Sequence, residues 1–293
     1  MVVYSIKDLE NLSGVKAHTL RIWEKRYDLV KPKRTKTNIR YYTDDDLRKL
    51  LNICFLYNKG YKISKIAIMC PNKIKEKISS YSNLDLDFDD QLDALMLFIL
   101  QLDSYNFNKI LDSHIDQKGL ELTMNDLIYP LLDKLGIAWL AGSFLSVHES
   151  FVTQIIKAKI IKSIEEVHMD KKVAKKYMIF QPPGEKQELS LLYFHYILKR
   201  NNCQVINLGS EVILNDVLFA YESCHPDYIF TILNEEFIHM PLQNYLDQLT
   251  ENMKENQFLI SGFQTVTSTV KWPNQVKILS TLQDSIDFVK ANT

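Results

Sequence analysis

Between positions 16 and 42 the chain concentrates side chains able to hold a polyanion. Lys16, His18, Thr19, Arg21 and Arg26 fall within eleven residues, and Arg34, Lys36, Arg40 and Tyr42 follow within the next sixteen. Ammonium and guanidinium groups neutralise phosphates and fix register on a duplex, after which neighbouring donors can read base edges. Net charge over the whole chain is −1, which hides an asymmetry. Residues 1–80 hold 18 Lys and Arg against 8 Asp and Glu, whereas the rest holds 17 against 28. Such a division predicts a basic nucleic-acid module carried by an acidic body.

Other chemistries lack their residues. Cys54, Cys70, Cys203 and Cys224 form no C-x-x-C pair and have no histidine at metal-finger spacing, so neither a disulfide framework nor a metal site is indicated. The sequence shows no nucleophile–base pair, Walker loop or G-x-G-x-x-G fingerprint, and the chain reads as a non-enzyme. It has no apolar run near the roughly 18 to 20 residues of a membrane span, and its first ten residues lack a basic region followed by an apolar one. A cytoplasmic protein without membrane contact is expected.

Elements must position the basic side chains. Ser5, with Asp8 three residues on, predicts a capped helix with Ile6, Leu9 and Leu12 on its apolar face, broken at Ser13-Gly14. A second helix from about Lys16 to Tyr27 buries Val15, Leu20 and Trp23 and leaves its cations outward. Two short helices joined by a glycine turn make a helix-turn-helix. Residues 29–42, with Pro32, read as a loop or two-stranded wing, and Thr43 caps a third helix that opens on Asp44, Asp45 and Asp46. A fourth begins after Ser64.

With 293 residues, two or three domains are expected. The divisions are 1–80 for the mainly α winged helix-turn-helix, 81–87 for a polar linker, 88–170 for a four-helix bundle and 175–293 for an α/β domain. In the last, apolar segments YMIFQ, QVINL, DYIFTIL, QFLIS and VKIL alternate with helical stretches. That alternation predicts a Rossmann-like, flavodoxin-like sheet of five parallel strands, with ligands at the carboxyl ends of the strands.

The first 70 residues resemble the MerR family of transcription regulators. The resemblance rests on the opening helix, the T-x-R-x-W-E segment of Thr19, Arg21, Trp23 and Glu24, the wing ending in R-x-Y at Arg40 and Tyr42, and the helix that follows. It implies a recognition helix in the major groove of a palindromic operator, bound by a dimer or tetramer of the chain. Lys16, His18, Thr19, Arg21 and Arg26 would serve from the helix, and Arg34, Lys36, Arg40 and Tyr42 from the wing.

The body is similar to the helical bundle plus Rossmann pair that holds cobalamin in light-sensing MerR-type repressors and in methionine synthase. That family has a bundle tryptophan followed, across nine intervening residues, by Glu-His; here Trp139 is followed by Glu149-Ser150. After the first strand the family places Asp/Glu-x-His-x-x-Gly, whose histidine coordinates cobalt; here Glu185, Gln187 and Ser190 hold those positions. Thr231-Ile232-Leu233 resembles the segment ending the third strand, and Ser261-Gly262-Phe263 keeps one glycine of a pair. Phe263 is expected to fill the space of the nucleotide tail. Glutamine is a poor cobalt ligand beside imidazole, so a degenerate site without cofactor is expected, the C-terminal half serving assembly and the sensing of another small ligand or protein partner. The alternatives are a cobalamin-dependent, light-responsive repressor or methyl-transfer module, and an adaptor whose Rossmann half binds a partner protein.

Overall fold

The structure is a computed structural model that describes residues 3–34, 38–80, 88–140, 145–169, 175–186, 188–235, 240–253 and 257–292. The expected linker at 81–87 and the helix boundary at Ala141-Gly142 lie outside the described residues. The chain divides into two compact units, residues 1–155 and 156–293.

Unit 1 opens with β1 (Val3–Tyr4), α1 (Ile6–Ser13) and α2 (Ala17–Tyr27). Ser5 caps α1 reciprocally: its hydroxyl accepts from the Asp8 N–H at 3.2 Å, and the Asp8 carboxylate accepts from the Ser5 N–H at 2.7 Å. Gly14 ends the helix at φ 68°, a left-handed conformation that costs a residue with Cβ more than it costs glycine. The wing is β2 (Lys33–Arg34) and β3 (Arg40–Thr43), and β1 adds a third antiparallel strand on the far side of β3. Sequence reading foresaw two strands, because a two-residue β1 carries no period. Next come α3 (Asp44–Asn58), a single turn α4 (Ile63–Ile66) and α5 (Pro71–Ser80). Thr43 starts α3, its N–H and hydroxyl both donating to the Asp46 carboxylate at 2.8 and 2.7 Å.

The bundle helices are α6 (Phe88–Gln101), α7 (Ser104–Thr123), α8 (Tyr129–Leu140) and α9 (Ser146–Glu166). Gly119 breaks α7 at φ 80°, and a π-helical turn over Met124–Ile128 leads into α8. Phe107 meets Phe151 edge to face with centroids 6.1 Å apart, joining α7 to α9. In α9 the buried Val152, Ile156, Ile160 and Ile164 recur every fourth residue, and the division between the units falls inside this helix. Gln101 of α6 donates to Asn52 of α3 at 2.9 Å, so bundle and helix-turn-helix pack within one unit.

Unit 2 is built from β4 (Lys176–Phe180), α10 (Glu188–Arg200), β5 (Gln204–Gly209), α11 (Leu214–Cys224), β6 (Tyr228–Ile232), α12 (Leu242–Asn252), β7 (Gln257–Ser261), α13 (Gln264–Thr267), β8 (Val276–Ile278) and α14 (Leu282–Ala291). The five strands are parallel in the order β5-β4-β6-β7-β8, the flavodoxin-like arrangement. Alternation divides the core. Tyr177, Ile179, Phe230 and Leu259 face one layer with α10 and α14, while Met178, Phe180, Ile229 and Phe258 face the other with α11 and α12. Each such buried side chain contributes about 1.5–3 kcal/mol, which is why strands covered on both sides read as apolar runs.

Candidate functional site

The second helix of the helix-turn-helix is fixed by its apolar side. Leu20 and Trp23 of α2 are buried, and Trp23 meets Tyr57 of α3 edge to face at 5.1 Å. With that side held, Lys16, His18, Arg21, Lys25 and Arg26 are exposed and Thr19 is half-buried. Lys16 pairs with Glu10 of α1 at 3.2 Å, and Lys16 together with the Ala17 N–H holds the Glu10 carboxyl below its ordinary range. The Arg26 guanidinium lies 5.5 Å from the Tyr27 ring centroid, and His18 Nε2 is 3.3 Å from the Thr19 hydroxyl.

In the wing, Arg34 and Arg40 are exposed and stand opposite each other across the β2–β3 pair. Like charges in that relation are unfavourable by themselves. Arg34 also donates to the Asn38 side chain at 2.7 Å and to its carbonyl at 3.3 Å, which sets one guanidinium at the tip. Lys36 lies outside the described residues. Tyr42 requires a correction. It is fully buried, and its hydroxyl donates to Glu24 of α2, so it ties the wing to the helix and is not presented to a phosphate. Burial and the Glu24 carboxylate push this phenol well above its ordinary range, so it stays a donor at neutral pH. Sequence reading used Glu24 only as a motif letter; nothing in a single carboxylate beside Trp23 announces a clamp.

In unit 2 the positions Glu185, Thr231 and Gly262 lie at the carboxyl ends of β4, β6 and β7. Glu185 is 4% exposed, and its Oε1 accepts from the backbone N–H groups of Asn234 and Glu235 at 2.7 and 3.0 Å. Its Oε2, Thr231 Oγ1 and Gln181 Nε2 are buried without a partner among the described residues. Burial raises the Glu185 carboxyl above its ordinary range against the lowering effect of those two N–H groups. Gly262 has φ 108°, and a Cβ there would stand 2.4 Å from the Leu233 carbonyl oxygen. Asn234 Oδ1 also accepts from the Phe263 N–H at 2.9 Å.

These residues do not fit cobalamin held through a lower axial ligand. One oxygen of the carboxylate that would orient an imidazole is taken by the loop after β6, and the close approach that Gly262 permits is taken by the chain's own Leu233 carbonyl. The position of the ligand histidine is Gln187, outside the described residues, and an amide is a weak donor for cobalt. Ser190 is exposed on the first turn of α10. Phe263, expected in the space of a nucleotide tail, is 64% exposed beyond the end of β7. On the bundle, Trp139 is 45% exposed near the end of α8, and Glu149 and Ser150 are exposed on α9. His148 is buried, its Nδ1 accepting from the Leu145 N–H at 3.1 Å at the start of α9.

Helix, turn, outward basic helix and wing define a winged helix-turn-helix. Residues 4–73 match the family model described as MerR HTH family regulatory protein. The chain is similar to the HTH-type transcriptional repressor CarH of Myxococcus xanthus, 23% identical over 232 residues that cover 77% of each chain. It is also similar to the HTH-type transcriptional regulator MlrA of Escherichia coli K12, 28% identical over 101 residues, covering 34% of this chain and 38% of MlrA. Among solved structures, the monomethylamine corrinoid protein of Methanosarcina barkeri gives a TM-score of 0.49 at 12% identity, covering 67% of this chain and 96% of that one. No helix among the described residues is long and apolar enough to cross a membrane.

Proposed function

We propose that this chain is a sequence-specific transcriptional regulator that binds a palindromic operator through α2 and the β2–β3 wing, in the cytoplasm and without catalysing a reaction. One observation carries the reading: α2 buries Leu20 and Trp23 and turns Lys16, His18, Arg21 and Arg26 outward, beside a wing that sets Arg34 opposite Arg40. A face of that composition is relieved by a polyanion. Arg21 and His18 are assigned to base edges in the major groove, with Thr19 beside them, and Lys16, Arg26, Arg34, Lys36 and Arg40 to phosphates or the neighbouring minor groove. Selection of bound duplexes from a random pool tests this. A two-fold symmetric consensus supports the reading; recovery of unrelated sequences rejects it.

The acidic C-terminal half is assigned to self-assembly into a dimer or tetramer, which a two-fold operator requires. We assign no cobalt-holding role to Glu185, Gln187 and Ser150. Support comes from the donor set and from the commitment of Glu185 to the Asn234 and Glu235 N–H groups. Protein incubated with adenosylcobalamin and then desalted should be colourless; retained corrin absorbance would assign the body to cobalamin after all.

A further inference from the structure

A cavity of about 370 Å³ opens within unit 1 between the helix-turn-helix and the bundle. Its walls include Val15 after the α1–α2 turn, Leu51 and Cys54 of α3, and Met96 and Leu97 of α6. That volume falls in the span of small-molecule sites, about 300–1,000 Å³. At its edge Asp93 of α6 pairs with Lys134 of α8, their side chains 41% and 44% exposed. An ion pair this exposed is weak, so a competing ammonium displaces Lys134 from Asp93 readily. The two members respond differently. Lysine can carry its ammonium to water on a flexible stem, whereas the aspartate carboxylate sits on one methylene and stays at the edge. The Cys54 thiol, buried in the wall, is pushed up to about 12 by burial, with the charge of Asp93 adding to the effect.

We propose that this cavity is a binding site for a small cationic amphiphile, a primary amine on an aromatic body, whose ammonium takes Asp93 from Lys134 while the ring lies against Met96, Leu97 and Cys54. Thioether and thiol sulfurs pack favourably on aromatic rings, and the released lysine returns to solvent. A carboxylate of the same shape would bring a second negative charge beside Asp93, which stays at the edge, while Lys134 can leave for water. Gly14 is part of the lining, at the turn that joins α1 to α2. An occupant therefore touches the joint that sets the angle of the outward basic helix.

Calorimetric titration of the full chain with tryptamine, and separately with indole-3-propionate, tests the site without DNA. Tryptamine should bind saturably and about tenfold or more tighter than the acid, the factor expected for a charge-assisted contact. Asp93→Asn should remove that preference. Lys134→Met, which deletes the competing ammonium, should strengthen tryptamine binding by about two- to fivefold. Equal affinity for amine and acid, unchanged tryptamine binding by Asp93→Asn, or no saturable binding of tryptamine by the parent chain would each overturn the proposal. Since no duplex is present, these failures leave the DNA-binding reading standing.

Discussion

Glu24 is the one carboxylate on α2, whose other charged side chains are Arg21, Lys25 and Arg26, and the Tyr42 hydroxyl occupies it from β3. A side chain that positions the wing and one that touches phosphate both lower affinity when removed, but they differ in salt response. Tyr42→Phe should weaken duplex binding by up to about tenfold, since it leaves a part-buried carboxylate without its donor, while the slope of log K against log salt stays that of the parent. Arg40→Ala should reduce the magnitude of that slope by about 1. A slope change of that size in Tyr42→Phe would return the tyrosine to direct phosphate contact. The basic side chains were legible from type and spacing; the burial of Tyr42 was not, because the four-residue β3 runs exposed, half-buried, buried, buried and shows no strict alternation.

At the scale of elements, unit 2 was the more legible half. Strands covered on both faces must be apolar throughout, so the inner β4, β6 and β7 stood out, while the edge strands β5 and β8 showed as half-buried segments with polar residues among the apolar ones, and the helices between them followed from their own period. The single turn α13 and the π-helical turn after α7 carry too few residues to show a period. Gly262 shows what motif reading missed: its lack of a Cβ serves a close approach within the chain. Gly262→Ala should lower stability by about 1–3 kcal/mol, read as a fall in urea midpoint, because its Cβ meets the Leu233 carbonyl at a left-handed φ. An unchanged midpoint would show that the β7 end yields freely. His195 of α10, 3.3 Å from Asn207 of β5, is depressed to about 4 by burial, with Lys199 adding to it. The unfolded imidazole binds its proton first as pH falls, so this residue's contribution is whole above about 6.5 and is lost on acidification toward 4. His195→Gln should flatten that part of the stability–pH curve; an unaltered curve would assign the acid sensitivity elsewhere.

For the molecule as a whole, the proposed function assigns contact with the duplex to the basic N-terminal residues and assembly to the acidic remainder. Removing residues after about 85 should sharply weaken operator binding while the fragment's helical signal persists, and undiminished affinity would take assembly away from the body. The account rests most directly on how affinity responds to salt. Five cations are assigned to phosphates or the neighbouring minor groove, Lys16, Arg26, Arg34, Lys36 and Arg40, so log K for the selected operator should fall linearly with log salt at a slope of about −4 to −5 per protomer. A slope shallower than about −1 per protomer would contradict the claim that this face binds DNA.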